Sequence, residues 1–199
     1  MDKNQTLKIK VIIGSTREGR FSEYPAKWIA SLAKKRQELD VEIVDLRDYK
    51  LPFFNEAVSP SYSQKPYDNK EVSRWSQKIS EADGFIIISP EYNHSFTAVL
   101  KNALDYIYYP WNNKAVGYVS YGSVSGARSI EQLRLVAIEL QLANVRQSIN
   151  IPGDIYLKVL NSKGSDLTPF ETINDRADIM LDQLALWSKY LKMAREQTK

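Results

Sequence analysis

The sequence predicts a three-layer α/β/α sandwich around a five-stranded parallel sheet of strand order 2-1-3-4-5, and three observations lead there. Strand-like and helix-like periodicities alternate five times along the 199 residues, and such alternation means parallel strands joined by right-handed crossovers. The run Gly84-Phe85-Ile86-Ile87-Ile88-Ser89 is apolar almost throughout, as in a central parallel strand covered on both faces. No composition break and no internal repeat divides the chain, so residues 1–199 are read as one domain.

Each element has its own signal. Leu7 to Ile13 is β-rich and stops at Gly14-Ser15. Ser22 to Glu38 switches to helical spacing, with Ala26, Ile29, Leu32 and Ala33 on one stripe and Pro25 in the first turn, where proline is tolerated. Val41 to Leu46 reads as a second strand. Asp68 followed three residues later by Glu71 predicts a capped helix running to about Ala82. Beyond the third strand, Phe96, Val99, Leu100, Ala103, Leu104 and Ile107 give a helical stripe. Ala115 to Tyr121 is a strand, Ser129 to Leu142 a helix, and Val145 to Ile151 a fifth strand. Thr168-Pro169 caps a last helix with the stripe Ala177, Met180, Leu181, Leu184, Trp187 and Leu191. Five strands fit the flavodoxin-like order 2-1-3-4-5 better than a six-stranded dinucleotide fold. The aperiodic stretch from Tyr49 to Asn69, with Pro52, Pro60 and Pro66, has the length of a functional lid or a surface loop.

Composition excludes several kinds of chemistry. Hydrophobic residues are 43% and charged residues 26%, enough for a core. A net charge of +3 is too mild to argue for nucleic acid or an anionic membrane. There is no cysteine, hence no disulfide, thiol nucleophile or thiolate metal site. The single histidine, His94, rules out a multi-histidine metal centre. No segment reaches the ~20 apolar residues of a membrane helix. Met1 to Gln5 lacks the apolar core of a signal peptide, so a cytoplasmic protein is expected. The chemistry therefore falls to something the protein binds.

In such a sheet, ligands sit at the carboxyl ends of the strands, near the switch in strand order. Three loops meet there. Gly14-Ser15-Thr16-Arg17-Glu18-Gly19-Arg20-Phe21-Ser22 combines hydroxyls, arginines and glycines and opens a helix, a combination suited to a phosphate. It is neither a Walker A loop nor a G-x-G-x-x-G fingerprint, so a monophosphate is the better match. Ser89-Pro90-Glu91-Tyr92-Asn93-His94-Ser95-Phe96-Thr97 offers an aromatic, an amide and main-chain donors, with Pro90 expected to stop strand pairing. That set suits a planar heteroaromatic ring. Ser120-Tyr121-Gly122-Ser123-Val124-Ser125-Gly126-Ala127-Arg128 is a small-residue loop that lets backbone approach a ligand. A hydrolase triad on Ser15 and His94 lacks the G-x-S-x-G elbow, and Glu91 with His94 is too few ligands for a metal.

These residues resemble the NADPH-dependent FMN reductases of flavodoxin-like fold, which include chromate, azo-dye and quinone reductases. Pro90-Glu91-Tyr92-Asn93 followed by Leu100-Lys101-Asn102-Ala103-Leu104-Asp105 is similar to the family's P-E-Y-N…L-K-N-A-[IL]-D signature. Gly14-Ser15-x-Arg17, Asp45-Leu46, Leu51-Pro52-Phe53-Phe54, Gly126-Ala127-Arg128 with Leu133-Arg134, and Ile151-Pro152 support it. The resemblance implies FMN as cofactor. Ser15, Arg17 and Ser22 with their loop backbone would hold its phosphate, Thr16 and Phe21 would also bind the cofactor, and Arg20 would reach either FMN or a nicotinamide phosphate. Pro90, Glu91, Tyr92 and Asn93 would line the ribityl chain and ring, and Ser120, Tyr121, Gly122 and Ser123 would close the other side. It implies hydride transfer from NADPH (or NADH) to the flavin, then reduction of a small-molecule electron acceptor such as a quinone, azo compound, chromate or free flavin. No catalytic acid or base is named, and no metal. Arg20 replaces a common serine, Thr97 a frequent proline, and Ser125 a usual glycine.

Two helices carry apolar residues on a second face: Tyr106, Tyr109 and Trp111 beside Asn102 and Asp105, and Leu135, Ile138 and Leu142. These predict a homodimer seam beside the flavin, or a dimer of dimers. The rival function is a flavodoxin-type electron carrier without its own NAD(P)H oxidation; such carriers are usually strongly acidic. A response-regulator receiver needs an acidic pair where Gly14-Ser15 stands.

Overall fold

The computed structural model describes residues 6–63 and 67–197; Met1 to Gln5 and Pro66 lie outside the described residues. The strands are β1 (Leu7–Ile13), β2 (Leu39–Asp45), β3 (Gly84–Pro90), β4 (Lys114–Tyr121), β5 (Leu142–Asn144) and β6 (Ile149–Asn150). The helices are α1 (Glu23–Ala33), α2 (Lys70–Ser80), α3 (Ala98–Asp105), α4 (Ala127–Glu139), α5 (Gly153–Asn161) and α6 (Asn174–Gln197). All pairings are parallel, in the order β2-β1-β3-β4-β5, with β6 also on β4. The predicted layers and order are present.

The two faces of the sheet follow from side-chain alternation. Leu7, Ile9, Val11 and Ile13 of β1 pack with Ile86 and Ile88 of β3 under α1, α5 and α6. Ile12, Phe85, Ile87, Val116 and Tyr118 face the opposite way, under α2, α3 and α4. Trp75, fully buried, donates its indole N–H to the Ala103 carbonyl at 2.8 Å and so ties α2 to α3. Both faces of β3 and β4 are buried, which explains the apolar run of β3 and the mostly apolar sequence of β4.

Several boundaries differ from the sequence reading: β2 is Leu39–Asp45 rather than Val41 to Leu46, and α4 ends at Glu139, so that Leu142, read as its last residue, opens β5. Helix α1 ends at Ala33 rather than Glu38, because Lys35 and Arg36 close it with tight three-residue bonds to Leu32 and Ala33. The cap of α2 is Asn69, not Asp68: its side chain accepts from the N–H groups of Glu71 and Val72. The fifth strand is split. Between β5 and β6 the carbonyls of Val145 and Arg146 turn off the ladder onto the guanidinium of Arg134, at 2.9 Å each. Thr168-Pro169 opens a 3-10 turn (Thr168–Ile173), and α6 begins only at Asn174.

Below the sheet, away from the ligand end, Lys114 is buried and donates to the carbonyls of Ile79 (2.8 Å) and Ser80 (3.1 Å). Burial, with the nearby Arg195 charge, pushes its ammonium down to about 7. An exposed lysine titrates near ~10.4, so between about pH 7 and that value the unfolded chain binds more protons than the folded one. Stability therefore rises with pH across this window. Lys114→Met is expected to flatten that rise, read as urea midpoints of variant and parent at about pH 7 and about pH 9.

Candidate functional site

The site is built where β1 and β3 lie side by side and their following helices leave on opposite faces of the sheet. Gly14 continues the ladder by one bond, donating to Ile88 O at 2.8 Å. A Cβ there would sit 2.8 Å from that oxygen and 2.9 Å from Leu100 Cδ2, so only glycine lets the first loop start so close to β3. Thr97 caps α3, accepting from Leu100 N–H at 3.2 Å, and its hydroxyl donates to Gly14 O. The threonine that stands where the resembled family often has proline thus ties α3 to the first loop.

The first loop is held from behind. Ser15 is buried, its hydroxyl 3.5 Å from the Tyr92 phenol and accepting from Arg17 N–H at 3.4 Å. Ser22 is fully buried and hydrogen-bonded to the Tyr121 hydroxyl at 2.7 Å. Burial pushes the Tyr121 phenol up, so it stays neutral. Arg20 forks onto Asp45 and also reaches Glu23 and the Ser15 carbonyl. Burial alone would raise the Asp45 carboxyl, but Arg20 and the Arg47 N–H outweigh it and hold it below the usual range. The Arg20 guanidinium is therefore engaged within the protein, although the residue lines the cleft. Arg17 has no side-chain partner among the described residues and lines the same cleft; Thr16 is exposed beside it.

In the second loop Pro90 does not end the pairing: it sits in register with Tyr121, and Glu91 N–H donates to Tyr121 O at 2.8 Å. The N–H that proline lacks would point toward β1, whose pairing with β3 has already ended at Ile13 and Ile88. Tyr92 and Ser95 then exchange both backbone bonds, at 2.8 and 3.0 Å, around Asn93 (φ 48°) and His94 (φ 71°). Two successive left-handed residues make this a primed two-residue turn. Asn93 and His94 are exposed at its tip, and Asn93 does not line the cleft.

The third loop is locked to the second by Glu91, whose nearly buried carboxylate accepts from Arg128 Nη1 at 3.2 Å and Arg128 N–H at 3.3 Å. Ser120 is buried and donates to Ser89 O at 2.6 Å. A Cβ on Gly126 (φ 74°) would lie 2.1 Å from Ser120 Oγ. Ser125 adopts φ 55°, the left-handed geometry that explains why glycine is usual there.

Together the loops bound a cleft of about 660 Å³. Of the residues singled out from sequence, Arg17, Arg20, Phe21, Pro90, Glu91, Tyr92, Tyr121, Gly122 and Ser123 line it. Ser15, Thr16, Ser22, Asn93 and Ser120 do not; Ser15, Ser22 and Ser120 are buried, where they tie the loops together. The opposite wall is Gly153, Tyr156, Leu157 and Leu160 of α5, which sequence reasoning missed. Phe21 packs on Tyr156 with ring centroids 4.5 Å apart, and Tyr156 stacks on Tyr121 at 5.8 Å.

The expected seam needs correction. Tyr106 and Trp111 are core residues and Leu142 is buried in β5. Asn102 and Tyr106 instead hold the 49–69 segment: Asn102 accepts from Phe54 N–H at 2.9 Å and donates to Pro52 O at 2.7 Å, and the Tyr106 hydroxyl donates to Phe53 O at 3.0 Å. Asp105 pairs with Lys101 one turn back. Tyr109, Leu135 and Ile138 are exposed.

A flavodoxin-like sheet with an open crevice at the carboxyl end of its β1–β3 pair belongs to the class of α/β proteins that bind a ligand at that switch point. The model of the NADPH-dependent FMN reductase family matches residues 7–154, and the chain belongs to that family, which makes it an oxidoreductase using NAD(P)H and FMN. It is 36% identical over 151 residues to an NAD(P)H-dependent FMN reductase of Schizosaccharomyces pombe, covering 75% of this chain and 76% of that protein. A 2-hydroxy-1,4-benzoquinone reductase of a Burkholderia species is 35% identical over 151 residues, 71% of this chain and 75% of that one. Among solved structures, FerB, a flavoenzyme NAD(P)H:(acceptor) oxidoreductase from Paracoccus denitrificans, shares the fold. Its TM-score is 0.70 at 20% identity over 93% of this chain and 98% of that one.

The adjacent left-handed positions make opposite predictions. Gly126→Ala is expected to lower unfolding stability by about 1–3 kcal/mol, because its methyl meets Ser120. Ser125→Gly is expected to stay within about 1 kcal/mol of the parent. Urea unfolding of both variants checks this; equal losses would contradict it.

Proposed function

We propose that the chain acts as one FMN-binding domain that passes electrons from NADPH or NADH to a quinone, with azo compounds, chromate and free flavin as further acceptors. The observation that carries this is a cleft joining the open first loop to a wall of rings and aliphatic side chains from Tyr92, Tyr121, Tyr156, Leu157 and Leu160. The backbone N–H groups of Thr16 and Glu18 have no acceptor among the described residues, and Arg17 stands unpaired beside them. A phosphomonoester fits these donors. Pro90, Glu91, Tyr92, Tyr121, Gly122 and Ser123 are placed to bound the ribityl chain and ring, and Ser15, Ser22 and Ser120 to fix the loops that hold them. Asn93 is the candidate for an amide contact at the ring edge. FMN, when bound, supplies the hydride acceptance and donation, and the protein positions it.

The relatives named as quinone and FMN reductases support an enzyme over a flavodoxin-type carrier. Among the described residues no helix is long and apolar enough to cross a membrane; a cytoplasmic site of action accords with that and with the cysteine-free sequence. Exposed Leu135, Ile138 and Tyr109 support a homodimer, or a dimer of dimers, on this side of the molecule.

The purified protein is expected to show the flavin absorbance bands, release FMN on denaturation and oxidise NADPH rapidly with benzoquinone. Arg17→Ala is expected to weaken FMN binding roughly 10- to 100-fold, the loss of one or two charge-assisted bonds. A colourless protein that FMN does not reconstitute would overturn the proposal.

A further inference from the structure

The first loop has three consecutive carbonyls, and all three point at arginines. Ser15 O accepts from Arg20 Nη1, Thr16 O from Arg47 Nε at 3.3 Å, and Arg17 O from Arg47 Nη2. Arg47 Nη1 reaches Glu23 at 3.1 Å, and the same carboxylate oxygen takes Arg20 Nε at 3.1 Å. Asp45 completes the set, taking the fork of Arg20 and accepting from Arg47 N–H at 2.9 Å. Asp45 stands directly opposite Ile13 in the β1–β2 register, so the cluster lies against the root of the loop.

In a planar trans peptide the C=O and the N–H point in opposite directions. Carbonyls of residues 15, 16 and 17 drawn toward β2 therefore turn the following N–H groups the other way, where that of Arg17 meets Ser15 Oγ at 3.4 Å and those of Thr16 and Glu18 have no acceptor among the described residues. Successive amides sharing a side form an anion-binding concavity. The same ties keep carbonyl oxygens, which repel an anion, out of it. Arg47 has each guanidinium nitrogen committed to protein acceptors and does not line the cleft. Its charge and that of Arg20 are matched by Asp45 and Glu23, so the cluster adds no net charge to the site.

We infer that Arg47, with Arg20 and Asp45, is a positioning residue that aims the loop amides at the flavin phosphate and thereby sets the preference for FMN over riboflavin. The inference rests on the proposed phosphate site, with Arg17 as its one direct arginine contact.

The test measures dissociation constants of FMN and riboflavin, by quenching of flavin fluorescence, for the apo forms of the parent, Arg47→Met and Arg47→Lys. Arg47→Met is expected to weaken FMN about tenfold while riboflavin changes by less than about twofold, which also shows that the variant is folded. Arg47→Lys is expected to recover only a minor part of the loss, because an ammonium lacks the planar fork that spans two carbonyls and a carboxylate. Equal losses for both flavins, an unchanged FMN constant, or full recovery by lysine would each overturn the inference. A parent protein that binds both flavins alike, or neither, would instead overturn the phosphate site itself, and the inference with it.

Discussion

The parallel pairing of β1 with β3 is the constraint on which the rest depends. Because β2 lies on one side of that pair and β4 on the other, the helices that follow β1 and β3 must leave on opposite faces. A crevice then opens between their starting points at the carboxyl end of the sheet. The two loops could not begin so close together with a side chain at position 14. Every feature of the cleft follows from that separation: the amides of the first loop, the wall at Pro90 to Tyr92 and the third loop beyond it.

A crevice alone would be soft, since loops carry unsatisfied backbone groups. Here those groups are tied down by side chains from neighbouring elements. Thr97 joins α3 to the first loop, Glu91 and Arg128 join the second to the third, and Ser22 with Tyr121 joins α1 to β4. Asn102 and Tyr106 do the same for the long segment after β2. Most of these ties use polar side chains that are buried or nearly so, where a hydrogen bond is costly to lose. The geometry is thus set before a ligand arrives, which lowers the ordering cost of binding.

Periodicity made the sheet and most helices legible: β3 is buried on both faces, and α3 buries Leu100, Ala103 and Leu104 at helical spacing. It failed where local pattern and tertiary context disagree, and also where a helical spacing was overlooked. The sequence reading assigns no element to the segment directly after Ile151, although Ile155 with Val159 and Tyr156 with Leu160 are each four residues apart, so α5 and its cleft residues Tyr156 and Leu160 were missed. The split of the fifth strand depends on Arg134, more than ten residues away, collecting two carbonyls. Aromatic residues at 106 and 111 looked like an interface because sequence does not show that Trp75 and Phe85 pack against Trp111. The loops themselves were legible by residue type, but not the division of labour within them. Arg17 and Arg20 look alike in the sequence; only Asp45, brought alongside by the β1–β2 register, separates the one facing the cleft from the one facing the protein.

The most direct examination of this account is a crystal structure of the protein grown with flavin mononucleotide. The account predicts the phosphorus atom cupped by the N–H groups of Thr16 and Glu18, with the guanidinium of Arg17 on its oxygens and the flavin ring against Pro90 to Tyr92. A nucleotide seated with its phosphate elsewhere, or with those amides turned away from it, would contradict the account.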